Sequence, residues 1–201
     1  MSDSKLRELE RRWRETKSVE DEAAYLRERV RVGDLTQERL ELAAYCGHEG
    51  ARRAAEADRS PVPPGQLSNW IGELRERNSE VCLQALGLCA SRLLVHFKRR
   101  HPHDTIQEPA IRAGFDCLRC PCESHTAEAR RRARLARGSS APAPFAYLFA
   151  EHAARGAGGK PPSGPLLITF CDWLAEAIGE PAALNVLKGD LSAWALMGPS
   201  G

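Results

Sequence analysis

Apolar residues recur at three- and four-residue spacing along most of the chain. Leu6, Leu9 and Trp13 begin the pattern, with Arg and Glu between them, as on an amphipathic helix. The longest such stretch, residues 79–100, presents one broad apolar face and is the predicted central core helix. Only LLITF, at residues 166–170, could be a strand. The pattern predicts an all-α protein, an irregular bundle of about nine to eleven helices.

Capping residues and helix breakers divide this pattern into elements. Ser18 with Asp21 and Thr105 with Glu108 resemble capping boxes. The run SPVPPG, at residues 60–65, cannot continue a helix. We therefore expect an N-terminal helical segment at 1–59 and a main helical domain at 66–201, packed together as two parts or as a single domain.

Composition sets the class of protein but not its activity. The chain has 201 residues, with 42% hydrophobic and 28% charged residues, as in ordinary globular proteins. The net charge of +2 permits no argument from overall electrostatics. Seven cysteines, an odd number, suit reduced thiols. The charged N-terminus does not resemble a signal peptide, and no apolar run approaches the roughly 18 residues of a membrane span. We expect a cytoplasmic protein without a membrane partner.

A cysteine cluster at residues 115–125, FDCLRCPCESH, is the first candidate for chemistry. Cys117, Cys120, Cys122 and His125 have the ligand types of tetrahedral zinc. Such sites usually combine ligands that are distant in sequence, whereas these lie in one short run that is half helical. Pro121 offers a simpler interpretation, because it ends one helix and can begin the next. We therefore predict that this segment forms a helix corner with no bound metal and no cofactor. The alternative is a metal site formed by these four residues.

No other motif predicts catalysis. Cys46 and His48 are close in sequence, but catalytic pairs are defined by their positions in space. GAGGKPPSG lacks the first glycine of a phosphate-binding loop. We predict no catalytic residues and a protein that is not an enzyme, an expectation that a reactive cysteine cluster or Cys46/His48 pair would reverse.

The helix predicted at 128–137 contains five arginines within eight residues. Such a helix can bind phosphates, bind an acidic protein, or simply face solvent. No aromatic residue lies between the arginines, which weakens a single-strand nucleic-acid interpretation. Because only two or three of them can face one ligand, we expect Arg130, Arg131 and Arg134 to contact a protein partner, with nucleic acid less favoured.

The run CLQALGLCASRLLVHFKRRHPHDTIQEPAIRAGFDCLRCPCESHTAEARRRA, at residues 82–133, resembles small helical bacterial immunity proteins of polymorphic-toxin systems. The similarity lies in the turn His101-Pro102-His103-Asp104, the helix with Ala110-Ile111-Arg112-Ala113, and the closing DLSAWAL. The segment before residue 55 is similar to that of myxobacterial members. The sequence departs from the family at Ile106–Pro109 and at Cys117, where a Trp is usual. The resemblance implies an all-helical fold and toxin neutralisation by binding, with no catalytic residues.

These observations predict a non-catalytic helical protein-binding module, in the form of an immunity factor that neutralises a toxin. The alternative is a nucleic-acid-associated or regulatory helical module that uses helix 128–137. Trp13, Trp70 and Trp173 lie on apolar stripes, and we expect all three to be mostly buried.

Overall fold

A computed structural model describes residues 2–56, 67–77, 79–141, 143–156 and 164–197, and the predicted break at 60–65 lies outside these ranges. The described residues form eleven helices and no strand, which confirms the all-α prediction. The helices are α1 (Ser2–Thr16), α2 (Val19–Arg31), α3 (Gln37–Tyr45), α4 (Glu49–Ala54), α5 (Leu67–Arg77), α6 (Ser79–Arg100), α7 (Gln107–Arg119), α8 (Glu123–Arg137), α9 (Pro144–Gly156), α10 (Gly164–Ile178) and α11 (Glu180–Leu196).

LLITF is helical and lies within α10. Leu167, Phe170, Cys171 and Leu174 are all buried. Their spacing of three and four residues continues past the run, so one helix face, not an alternating strand, buries the apolar side chains.

The described residues divide into two compact units. Unit 1 contains residues 2–56 and 188–197, and unit 2 contains residues 67–187. The expected division into 1–59 and 66–201 did not separate residues 188–197, which belong to unit 1 because they contact its helices. Arg29 Nη1, for example, donates a hydrogen bond to the Leu196 carbonyl oxygen at 2.6 Å.

Unit 1 is built on α1 to α4, and a serine and a threonine cap α2 and α3. Ser18 Oγ accepts a hydrogen bond from the Asp21 N–H at 3.1 Å, and Thr36 Oγ1 accepts one from the Arg39 N–H at 3.3 Å. Glu28 is buried on α2, yet it forms ion pairs with Lys5 at 3.1 Å and with Arg31 at 2.5 Å. This unit therefore keeps charged groups inside and neutralises them there.

Unit 2 is organised around α6, which packs against α5, α7, α9 and α10. By length and composition alone, α6 could cross a membrane. However, 56% of its 18-residue apolar stretch is buried inside the protein, as in the core helix of a globular domain. Phe149 of α9 is fully buried against Gly87 and Gly114, where an added Cβ would lie 2.6 Å from the ring. These two glycines allow α9 to approach α6 and α7 closely.

Small residues bring α8 equally close to its neighbours. Its buried positions are Ala129, Ala133 and Ala136, and it packs on both α7 and α9. Buried Gln107, at the start of α7, donates to Ser139 Oγ at 2.9 Å and to the Ala141 carbonyl at 3.1 Å, fixing the loop that follows α8.

The capping box predicted at Thr105 and Glu108 is wrong. Asp104 Oδ1 accepts the N–H groups of Ile106 and Gln107 at 3.1 and 3.0 Å. Glu108 instead pairs with Lys98 and with Arg112. An aspartate turn thus begins α7.

Among the tryptophans, Trp70 is buried with 1% of its surface exposed. Trp13 and Trp173 are intermediate in exposure. Trp13 stacks on Tyr25, with ring centroids 5.4 Å apart, and Trp173 lies 5.5 Å from the ring of Phe170. The apolar stripes predicted that all three side chains pack against the protein interior. Trp70 does so fully, whereas Trp13 and Trp173 are only partly buried.

Candidate functional site

Residues 120–122 form the corner between α7 and α8, where the proline predicted it. Helix α7 ends at Arg119, and Cys120 is extended, with φ −139° and ψ 94°. Pro121 disfavours helical backbone at the residue before it, which explains this end. Cys122 is the N-cap of α8 and is also extended.

Cys117 does not join the other three candidate ligands. It is buried on α7, with Sγ 3.7 Å from both Thr126 Oγ1 and the Ala153 carbonyl oxygen. Burial raises the pKa of the Cys117 thiol. The helical turn therefore directs this side chain into the core, where it serves as a small packing residue.

Cys120, Cys122 and His125 do come together at the corner, with ligand atoms all within 4.8 Å of one another. His125 Nδ1 lies 3.2 Å from Cys122 Sγ and 3.0 Å from the Cys120 carbonyl oxygen. Both cysteines are exposed. Hydrogen bonding from Ser124, the largest cause, and then from the His125 N–H and Cys120 lowers the pKa of Cys122 to about 6. A lowered thiol pKa is typical of nucleophilic and metal-binding cysteines.

A groove with a volume of about 270 Å³ lies between α8 and α9. Ala133 forms part of its apolar floor, and its other lining residues are all charged: Arg130, Arg134, Arg137, Glu151 and Arg155. Four arginines against one glutamate give the groove a net charge of +3. Burial lowers the pKa of His152, which follows Glu151 on α9.

The four arginines are not equivalent. Arg137 and Arg155 both form ion pairs with Glu151, and the Arg137 guanidinium lies 4.9 Å from the centre of the Tyr147 ring. Arg130 and Arg134 are exposed, and neither has a carboxylate partner among the residues that the structure describes. Two guanidinium groups are thus available to an anionic ligand at the mouth of the groove.

Of the three predicted partner residues, the groove unites Arg130 and Arg134 but not Arg131. The side chains of Arg131 and Arg132 both donate to Glu128, at 2.7 Å. The spacing of positions 130, 134 and 137 could have identified one shared helix face. Arg155 and Glu151 could not be found in this way, because only the packing of α9 brings them to α8.

Cys46 and His48 show no catalytic arrangement. Cys46 is buried. His48 caps α4, with Nδ1 accepting the Ala51 N–H at 3.2 Å, while Nε2 faces Glu22 Oε1 at 3.7 Å. The imidazole is therefore committed to a helix end and to a carboxylate.

No protein-family model, curated protein or solved structure matches this chain. The resemblance to immunity proteins therefore rests on sequence motifs alone. The roles of the groove and of the cluster formed by Cys120, Cys122 and His125 are inferred from their geometry.

Proposed function

We propose that this chain is a non-catalytic protein-binding module that accepts an acidic segment of a partner protein in the groove between α8 and α9. The observation that carries this proposal is the pair Arg130 and Arg134, two exposed arginines in a groove of net charge +3 that have no carboxylate partner among the described residues. Guanidinium groups bind carboxylates through paired, charge-assisted hydrogen bonds.

The spacing of the two arginines suits a peptide. Positions four apart on a helix are separated by about 6 Å along its axis. Alternate side chains of an extended peptide are separated by about 7 Å. A partner segment with two acidic residues on one side can therefore meet both guanidinium groups.

Nucleic acid is the weaker alternative for reasons of magnitude. Dedicated binders neutralise about six to ten phosphates. This groove offers two arginines that are unpaired within the described part of the chain and two more that already share Glu151. Removing one partner of a desolvated charge pair at a protein interface costs about 2–5 kcal/mol. Two arginines therefore suffice to anchor a protein, but not a phosphate backbone.

The resemblance to immunity proteins suggests the biological form of this binding. The module would occlude the active site of a cognate toxin with a rigid helical surface, and charge complementarity would speed their encounter. A toxin encoded beside this gene is the first partner to test. Co-expression should restore growth of cells that produce that toxin, and Arg130→Glu/Arg134→Glu should abolish the protection.

A titration with mixed-sequence DNA and RNA at about 150 mM salt separates the two partner classes. We expect dissociation constants no tighter than the roughly micromolar range of non-specific binding. Sub-micromolar affinity that disappears in Arg130→Glu/Arg131→Glu/Arg134→Glu would contradict the proposal and favour the nucleic-acid alternative.

A further inference from the structure

We propose that Cys120, Cys122 and His125 form a binding site for one zinc ion, with its fourth coordination position open. The inference goes beyond the proposed function and does not depend on it, since the groove residues take no part. It rests on three ligand atoms of the types that zinc prefers, all within 4.8 Å of one another at an exposed corner.

The separations are close to those of a tetrahedral site. Zinc–sulfur and zinc–nitrogen distances of about 2.3 and 2.0–2.1 Å place two sulfurs about 3.8 Å apart, and a sulfur and a nitrogen about 3.6 Å apart. Cys122 Sγ and His125 Nδ1 are 3.2 Å apart. Movements of about 1 Å by exposed side chains close the remaining distances, and no core residue has to move.

The backbone of the corner explains why such close positions converge. The sequence argues against a metal site because the four ligands lie in one short run that is half helical, and Cys117, which is helical and buried, is indeed separate from the other three. Cys120 and Cys122 are both extended, on either side of Pro121. His125 lies in the first turn of α8, three residues after the N-cap, where its ring returns to Cys122.

Neighbouring groups favour an ion that accepts thiolates. The 3.0 Å contact between His125 Nδ1 and the Cys120 carbonyl needs a proton on that nitrogen, so the ion replaces this contact when it binds. The Ser124 hydroxyl lies 3.2 Å from Cys122 Sγ and can donate to the thiolate. Contacts of this kind orient ligands beside a metal. Two sulfurs and an imidazole disfavour Mg²⁺ and Ca²⁺, which require oxygen ligands. With three protein ligands, the ion keeps one position for water or for a group supplied by another molecule.

The test uses the full chain, treated with a chelator and kept reduced. Titration with Co²⁺, a spectroscopic substitute for zinc, should produce thiolate charge-transfer absorption that saturates at one equivalent. Zn²⁺ should then displace the Co²⁺ and abolish this absorption. Cys120→Ser, Cys122→Ser and His125→Asn should each lose the one-equivalent endpoint, and because the three residues are at the surface, their circular dichroism should not change.

Two matched controls define the ligand set. Cys117→Ala removes the buried cysteine, and His103→Asn removes an exposed histidine outside the cluster; both should bind one equivalent with unchanged absorption. Absence of the charge-transfer band in the wild-type protein, or its persistence in Cys122→Ser, would overturn the proposal. Loss of the charge-transfer band in Cys117→Ala, with intact circular dichroism, would also overturn the proposal, because the buried thiol would then be a ligand.

Discussion

The two compact units place their charged groups differently. Unit 1 buries Asp21, Glu28 and Arg29 and gives each an ionic partner. In the described part of unit 2, the buried polar residue is the neutral Gln107, and four arginines instead surround a surface groove. The buried charges of unit 1 are paired within the fold, whereas Arg130 and Arg134 of unit 2 are exposed and have no carboxylate partner among the residues described.

This difference separates stability from binding. A buried charge that loses its partner is costly, so the ion pairs of unit 1 should affect folding and should respond to pH. Exposed arginines without partners contribute little to folding. The proposed acidic partner would contact Arg130 and Arg134, so the contribution of these two arginines should appear in binding and not in folding.

The largest expected effect comes from the apolar core of unit 2. Trp70→Ala should reduce the free energy of unfolding by about 3–5 kcal/mol, because it removes a fully buried ring. Trp13→Ala, at the partly exposed stacking position of unit 1, should cost less. Urea unfolding of both variants measures this, and a change below about 1 kcal/mol for Trp70→Ala would show that its ring is not a core element.

A single methyl group tests the close packing of α7 against α9. Gly114→Ala places a Cβ 2.6 Å from Phe149 Cε1 and should destabilise the protein by about 1–3 kcal/mol through overpacking. Gly72→Ala, on α5 with nothing within 4 Å, is the matched control and should be stabilising by about 0.5–1 kcal/mol. Equal melting temperatures for the two variants would contradict this packing.

The buried carboxylate of unit 1 should make stability depend on pH. Hydrogen bonding to Arg31 and Lys5 lowers the pKa of Glu28 to about 2 from an ordinary value of 4.5. Its contribution is therefore complete above about pH 4.5 and is lost as the pH falls towards 2. Glu28→Gln should flatten the acid limb of a plot of unfolding free energy against pH.

Glu128 of unit 2 provides the comparison for that measurement. The pKa of Glu128 is also lowered to about 2, by Arg131 and Arg132, but 39% of its side chain is exposed, against 4% for Glu28. Solvent screens the exposed ion pairs, so Glu128→Gln should change the acid limb less. If Glu128→Gln changed the acid limb more than Glu28→Gln does, the contrast between the buried charges of unit 1 and the exposed charges of unit 2 would be contradicted.

Sequence reasoning succeeded where the determining forces are local. Pro121 restricts the residue before it, so the α7–α8 corner was predictable, and Ser18 and Thr36 cap helices through their own neighbours. It did not assign residues 188–197 to unit 1, because contacts such as Arg39 over the Trp194 ring, at 4.5 Å, join distant positions. Arg155 and Glu151 were missed in the groove for the same reason.

The smallest expected effect on stability is that of the groove arginines themselves. Arg130→Ala/Arg134→Ala should change the free energy of unfolding by less than about 0.5 kcal/mol, since no ion pair is lost. Arg131→Ala/Arg132→Ala removes both partners of Glu128 and should cost up to about 1 kcal/mol. The opposite order in urea unfolding would indicate that Arg130 and Arg134 have a structural role.

The most direct test of the central claim is binding of labelled peptides with two glutamates at alternate positions, measured by fluorescence anisotropy at about 150 mM salt. The wild-type protein should bind these peptides more tightly than the same peptides with glutamine. Arg130→Ala/Arg134→Ala should remove that preference, and Arg131→Ala/Arg132→Ala, with the same change in charge, should retain it. Equal loss in both double variants, or no preference for glutamate in the wild-type protein, would contradict the groove as the site of an acidic partner.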